Sequence, residues 1–397
     1  MKSLITIFLG GAVALGFSQP LELDQALRQA VQSRPGIEAA RKSVERAKLH
    51  ARSLGVQAPL TLGVGASSNT SIGGSDDDLY ISQGFDLFGK LKASRRLGEA
   101  GVEEAKAQFR SSLLTLQTDV LSAYFEAVTA AELSNAAQDL LRVAEALLGA
   151  TKRRFEEGKV PEVQITRSTI EVDRAKQGAL LRRAQYQAAI KRLAGAIGQS
   201  ESSIEVNLAV VIEKPGSPSI ADRPDLLSIE AEISAAKAEM EVARASLRPE
   251  LELRASRSPW GDSVGIYGGR IQLSWPLYDH GKTRLETDAA RKKAEAAEKR
   301  YQDTEGIAKA ELSAIETEIE SARQQVATYS EIVALARDLV TRSQLGYSEG
   351  VGTLIDVLEA TQSLREVEKE RAEAKLQLNK SLIQYYQTTG TLLEVLK

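Results

Sequence analysis

The chain is written twice, and a duplicated unit constrains the fold more than any other feature, because both copies must settle on one architecture. Arg34-Pro35 opens the stretch PGIEAARKSVERAKLHARSLGVQAPLTLGVGAS, and Arg223-Pro224 opens PDLLSIEAEISAAKAEMEVARASLRPELELRAS, an offset of 223 − 34 = 189. Pro59 and Pro249 each stand just before a β-like run, 190 apart. Phe155 aligns with Tyr347 and Gly158 with Gly350, both 192 apart, and each copy closes on a glycine, Gly198 and Gly390, again 192 apart. The repeats are expected over 19–198 and 222–397. The stretch 199–221, with Pro215, Gly216 and Pro218, is expected to be the linker between them.

Proline placement marks the long elements. All ten prolines fall outside two windows, 60–160 and 277–397. These windows predict long helices over about 90–155 and 282–345, with return helices over about 161–197 and 353–390. Ile315, Ile319, Ala322, Val326, Tyr329, Val333, Ala336 and Val340 alternate steps of four and three, a sustained heptad stripe for supercoiled packing. Val102, Ala105, Phe109, Leu113, Leu116, Val120, Tyr124 and Ala127 repeat it more loosely. At 1.5 Å per residue, such helices reach roughly 95 to 100 Å. No compact domain of this mass needs them, so something is spanned.

Each repeat also inserts a pair of strands between a shorter opening helix and its long helix, over about 57–88 and 248–278. Leu60, Leu62, Val64 and Ala66 alternate with Thr61, Gly63, Gly65 and Ser67, and a Gly-, Ser- and Asp-rich turn runs from Ser67 to Asp78. Tyr267, Ile271, Leu273, Trp275 and Leu277 stand opposite Arg270, Gln272 and Ser274. One apolar and one polar face over about ten residues suits a membrane barrel strand, and equally a half-buried soluble sheet. Phe85, Phe88, Trp275 and Tyr278 lie near strand ends, where interfacial aromatic girdles occur. Four strands cannot close a membrane barrel, since the smallest need about eight. Copies of the chain must therefore pool strands, and a dimer, trimer or tetramer would each serve.

Composition narrows the chemistry. The chain of 397 residues has no cysteine, two histidines (His50 and His280) and a formal net charge of −3. Disulfides, thiolate metal sites and lipid anchoring through cysteine are excluded, and no strong field points to nucleic acid. No enzyme chemistry, cofactor or metal site is expected. Gly281-Lys282-Thr283 imitates the end of a phosphate-binding loop, but Pro276 occupies its required first glycine. Lys2, an apolar stretch from Leu4 to Leu15, and the small residues Gly16 and Ser18 predict an export signal over 1–18.

The twofold order of short helix, strand pair, long helix, glycine turn and second long helix resembles the TolC family of outer-membrane efflux proteins. The segments that carry the resemblance are Arg154-Phe155-Glu156-Glu157-Gly158 with Val163 and Gln164, the run from Tyr347 to Thr361, and the strand exits Phe85–Lys90 and Trp275–Lys282. The resemblance covers essentially the whole mature chain. It implies a mainly α fold with a small β part: a duplicated long-helix coiled-coil α-barrel, plus a β-barrel built from four strands per protomer in a homotrimer. It further implies an outer-membrane location extending into the periplasm. Its expected partners are a periplasmic adaptor and an inner-membrane transporter, and its function that of a passive exit duct for a tripartite efflux or type I secretion system.

The resemblance also assigns residues. Phe155, Gly158, Lys159, Gly350, Val351 and Gly352 fall at the tip turns where an adaptor docks. Asp356 and Glu359 match the inward acidic pair of the pore constriction, and Tyr347 a tyrosine that latches the closed tip. Three residues apart, Asp356 and Glu359 share one helix face, and they also suit a helix N-terminus simply by charge. The latch arginine expected near Thr353 is absent, Gly352 standing in its place. A periplasmic coiled-coil adaptor and a structural spacer are the competing readings.

Overall fold

The computed structural model describes residues 20–65, 68–69, 74–75, 78–199, 204–214, 219–257 and 267–396. The export signal expected over 1–18 lies outside the described residues. The chain runs α1 (Leu23–Ser33), α2 (Pro35–Leu54), β1 (Thr61–Gly65), β2 (Ser68–Asn69), β3 (Gly74–Ser75), β4 (Asp78–Phe85), α3 (Lys90–Glu156) and α4 (Glu162–Ile197). It continues through α5 (Pro224–Ala245), β5 (Glu250–Arg257), β6 (Tyr267–Ser274), α6 (Lys282–Glu349) and α7 (Leu354–Thr389) to a short 3-10 turn at Glu394–Leu396.

α3 has 67 residues and α6 has 68, each roughly 100 Å long. Such helices persist because Ala, Glu, Lys, Arg and Leu dominate them and no proline interrupts them. Each long helix pairs with its return helix, α3 with α4 and α6 with α7, and α3 also meets α7 across the repeats. α2 and α5 lie against the strand-proximal parts of α3 and α6. Gly98 permits that approach, since a Cβ there would stand 2.7 Å from the Ala51 Cα.

The apolar core is linear. Its largest cluster joins α1, mid-α3, mid-α6, the ends of α4 and α7, and the segment after α4, around Leu27, Leu121, Tyr124, Phe125, Leu193, Ile197, Ile315, Ile319 and Tyr385. Smaller clusters follow towards the α3–α4 and α6–α7 turns: Leu140 with Val333, Ala336, Val340, Ala360 and Leu364, then Leu147 with Tyr347, Leu354 and Val357. The heptad stripe of α6 supplies much of this, with Ile315, Ile319, Ala322, Val333, Ala336 and Val340 buried.

The duplication is visible in contacts as well as in letters. Gly89 and Gly281 precede α3 and α6, both at φ +83. Arg34 donates to the Ala196 carbonyl at 2.9 Å, and Arg223 to the Thr388 carbonyl at 3.3 Å, so each opening arginine ties down the end of its own return helix. The following glycines, Gly198 at φ +73 and Gly390 at φ +66, are pressed against Ser33 and Arg223. Two features depart from a strict reading of the sequence. The stretch expected as a turn after Ser67 holds a short β2–β3 ladder. The segment between the copies is packed rather than free: Val206 and Ile212 are buried, and Leu21 bridges Val206.

Apart from the β2–β3 ladder, the strands form one antiparallel sheet in the order β1-β4-β5-β6, whose edge strands β1 and β6 have no further strand partner among the described residues. Register sorts the side chains. Leu62, Ile81 and Ala255 are consecutive partners on one mainly apolar face, which also holds Val64, Leu79, Leu251, Leu253, Ile271 and Leu273 along with Gln83 and Arg257. The other face holds Gly63, Tyr80, Ser82, Glu252, Arg254, Arg270 and Gln272.

Candidate functional sites: the helical tip and the strand wall

At the tip, α3 ends where Gly158 takes φ +70; its N–H donates to the Phe155 carbonyl and that of Lys159 to the Arg154 carbonyl, both at 2.8 Å. These bonds satisfy carbonyls that a helix end leaves without partners. α6 ends more tightly. The N–H groups of Gly350, Val351 and Gly352 all lie 3.0 Å from the Gly346 carbonyl, with Gly350 at φ +90. α7 then starts on a capping box: the Asp356 N–H donates to the Thr353 hydroxyl at 3.2 Å, and the Thr353 N–H to the Asp356 carboxylate at 2.8 Å. That bond from the Thr353 N–H holds the Asp356 carboxyl below its ordinary value.

Tyr347 is the buried centre of the tip, 1% exposed. Its hydroxyl lies 3.1 Å from both the Thr151 hydroxyl on α3 and the Gln164 side-chain oxygen on α4, sharing one proton between them. Ser168 joins through its 3.2 Å contact with Thr151. Arg154, from the last turn of α3, donates to the Tyr347 carbonyl at 2.5 Å while its guanidinium sits 4.6 Å over the Tyr347 ring. These groups bind the α3–α4 hairpin to the end of α6.

The tip residues expected from the sequence therefore part company. Tyr347 is buried in a polar network; Asp356 and Glu359 are both exposed on the first turns of α7, Asp356 already engaged in its cap. Phe155 and Val351 are exposed apolar groups at the two turns, 41% and 84% respectively. Lys159 pairs with Glu157 at 2.7 Å. Gly352 stands where a latch arginine was expected; a Cβ there would lie tightly, 3.1 Å from the Gly346 carbonyl carbon and the Tyr347 nitrogen. Sequence reasoning gave Arg154, Thr151, Gln164 and Ser168 no role. A signal for Arg154 existed: at the repeat offset of 192 it aligns with Gly346, so the copies differ at this joint.

At the other end, Asp86 starts α3 by accepting from the backbone N–H groups of Phe88, Gly89, Lys90 and Leu91 at 2.7 to 3.2 Å. Asp279 does the same for Gly281 and Thr283 ahead of α6. Phe85 ends β4 half-buried, whereas Phe88, Trp275 and Tyr278 are exposed beside these helix starts, Tyr278 edge-on to His280 at 4.6 Å. Much of the apolar sheet face is open too: Leu62, Val64, Ile81, Ile271 and Leu273 are exposed. Among the described residues no group of three or more His, Cys, Asp or Glu is placed to hold a metal, and no helix is long and apolar enough to cross a membrane.

A strand wall with one apolar and one polar face, carried on 100 Å helices, defines a subunit of a membrane channel-tunnel. The family model described as outer membrane efflux protein matches residues 26–199 and 217–391, and the chain belongs to that family. It is an outer-membrane transport conduit reaching into the periplasm, not an enzyme.

Among its relatives are nodulation protein T of Rhizobium leguminosarum bv. trifolii, 26% identical over 78% of this chain and 69% of the relative. The pyoverdine export outer membrane protein OpmQ of Pseudomonas aeruginosa is 25% identical over 82% of this chain and 71% of its own length. The fold is that of the solved VceC outer membrane protein of Vibrio cholerae, at TM-score 0.73 and 20% identity, covering 93% of this chain and 96% of that one. The open-state MtrE channel of Neisseria gonorrhoeae is similar at TM-score 0.72 and 19% identity, covering 93% and 88%.

Proposed function

We propose that three copies of this chain pool their strands into one twelve-stranded outer-membrane barrel and their helices into one periplasmic tunnel. The tunnel is closed at the tip until an adaptor and an inner-membrane transporter engage it. The observation that supports this reading is the four-stranded sheet whose two edges are unpaired among the described residues and whose mainly apolar face is exposed. Lipid tolerates neither an open edge nor a partial barrel, so the edges must meet copies of themselves. Three sheets of four strands give a barrel wide enough for a water-filled lumen.

Within that assembly the Arg154–Tyr347 joint with Thr151, Gln164 and Ser168 acts as the clasp of the closed tip, in place of the missing latch arginine. Asp356 and Glu359, two carboxylates from each of three chains, ring the constriction, attracting cations and repelling anions. Phe155, Gly158, Lys159, Gly350, Val351 and Gly352 offer the adaptor an apolar edge with one ion pair. Phe85, Phe88, Trp275 and Tyr278 hold the barrel at the membrane boundary. Cargo selection falls to the transporter: relatives are named for pyoverdine export and for alkaline protease secretion, two unlike cargoes.

Detergent extraction from outer membranes followed by mass measurement and planar-bilayer recording tests the assembly. A particle of three chains that conducts after reconstitution is expected. A water-soluble monomer without conductance would end the proposal.

A further inference from the structure

The two copies differ in charge where their helices meet the strand wall. Residues 46–54 at the end of α2 and 90–96 at the start of α3 hold seven Lys and Arg and no Asp or Glu, in a chain of net charge −3. The aligned stretches of the second copy, 236–244 and 282–288, hold four of each sign. A comparable run further along α6, Arg291-Lys292-Lys293, is matched by Asp288, Glu295 and Glu239. Of the seven, Lys90 pairs with Glu250 and Arg96 with Glu241. Arg46, Lys48, Arg52, Lys92 and Arg95 are exposed or half-exposed at their helix surfaces without an ion pair among the described residues.

Three of these share one side of the wall, and Arg244 of α5 joins them. Lys48 lies seven residues from Arg41 and four from Arg52, and Lys92 seven from Glu99, spacings that keep side chains on one helix face. Arg41 and Glu103 line one groove with Arg28 of α1 and Leu392 of the chain end, and Glu99 and Glu103 line its continuation with Glu241. Arg244, exposed and unpaired, follows Glu241 by three residues. α1 and the chain end form a second layer on this side, and a second layer fits only the outside of a hollow wall. Leu49, Val56, Phe88 and Leu277 are exposed at the same end of the helices. Lys92 stands four residues beyond Phe88, about 6 Å at the helical rise. That matches a headgroup layer, about 5 to 8 Å thick on each side of the hydrocarbon.

We propose that Lys48, Arg52, Lys92 and Arg244 form a cationic collar that binds the phosphodiester headgroups of anionic phospholipids in the periplasmic leaflet of the outer membrane. The proposal rests on the barrel reading, which brings the strand wall into lipid and repeats the collar around its outer rim. The occupant is lipid because the cations continue the exposed aromatic and apolar level outward, where an anionic membrane surface supplies the missing opposite charge. Each Lys or Arg near such a surface adds to the attraction, and the long stems lie along apolar surface while their heads reach the phosphates. The collar fixes the depth at which the barrel sits and holds the long helices upright beneath it.

The test reconstitutes the full chain in phosphatidylethanolamine vesicles containing a minority of phosphatidylglycerol. Spin-labelled phosphatidylglycerol and phosphatidylcholine then report the lipid shell by electron paramagnetic resonance. Phosphatidylglycerol should be favoured about fivefold at low salt, the preference falling towards unity at high salt. Lys48→Gln with Arg52→Gln, Lys92→Gln and Arg244→Gln should abolish the preference, and Lys48→Arg with Lys92→Arg should keep it. Lys176→Gln with Arg183→Gln, exposed on α4 towards the tip, should leave it unchanged. If the fourfold variant does not insert, Lys92→Gln alone carries the test, lowering the preference roughly twofold. Equal binding of the two lipids by the unaltered protein, or a preference intact in an inserted variant, overturns the collar. Loss of the preference on adding inorganic phosphate at constant ionic strength would make it a site for soluble anions and overturn the lipid assignment. Dissociation of the fourfold variant into monomers whatever the lipid charge would show that these cations pair with a neighbouring chain instead. A protein that gathers no lipid shell at all would overturn the barrel reading itself.

Discussion

Arg154, in the last turn of α3, donates to the Tyr347 carbonyl in the last turn of α6 and covers the Tyr347 ring at 4.6 Å. One side chain thereby spans the joint between the two copies of the repeat at the helical tip. A charge-assisted hydrogen bond and a cation–π contact at one site amount to about 1 to 3 kcal/mol.

Arg154→Gln is therefore expected to raise the open probability of the isolated channel about tenfold or more. Cells carrying it should leak large antibiotics such as vancomycin that the outer membrane normally excludes. Single-channel recording and growth on vancomycin check the expectation; channels indistinguishable from the unaltered protein would remove Arg154 from the clasp.

Asp356 loses its proton more readily than a free aspartate because the Thr353 N–H bonds to its charged form. A depressed carboxyl pKa contributes stability above the unfolded value and loses it as pH falls through the folded value. In a Glu359→Gln channel, divalent-cation block should then persist on acidification until below the ordinary aspartate value of 3.8. Block lost well above that pH would show that Asp356 does not face the ion path.

Gly158 and Gly390 adopt the same left-handed conformation in different surroundings. Nothing lies within 4 Å of a Cβ at 158, whereas one at 390 would stand 2.5 Å from the Asp222 carbonyl oxygen. Gly158→Ala is expected to cost about 1 kcal/mol, the conformational penalty alone. Gly390→Ala adds an overpacking cost of roughly 1 to 3 kcal/mol. Urea unfolding of the two variants measures the difference, and equal losses would contradict the packing around Gly390.

Ile271 and Gln272 are neighbours on β6 that face opposite sides of the sheet. Ile271→Lys should destabilise the barrel by about 2 to 4 kcal/mol if its face meets lipid near the midplane, while Gln272→Lys in the lumen should be tolerated. Trimer melting in detergent and in lipid distinguishes them. The reverse ranking would turn the sheet inside out.

Much of the fold was legible because it is periodic. Heptad steps from Ile315 to Val340 and alternation from Tyr267 to Leu277 are local consequences of helix and strand geometry, and they appear in the letters themselves. Glycines aligned at a constant offset, Gly158 with Gly350 and Gly198 with Gly390, mark helix ends for the same reason: only they take positive φ cheaply. The clasp was not legible in this way. Arg154 and Tyr347 are 193 residues apart, and nothing in either helix announces that their ends meet.

The sequence by itself determined the duplication and the absence of thiol chemistry, which are read directly from the letters, and the span of the helices and the two-faced strands, which depend on neighbours along the chain. Only the tertiary structure decided that Tyr347 is buried while its aligned Phe155 is exposed, that a side chain at Gly352 would press on the end of α6, and that Asp356 caps its own helix. It likewise set Arg254 against Arg270 across one face of the sheet. Those outcomes depend on which surfaces of the two repeats are pressed together, and packing between distant segments leaves no periodic trace in either one.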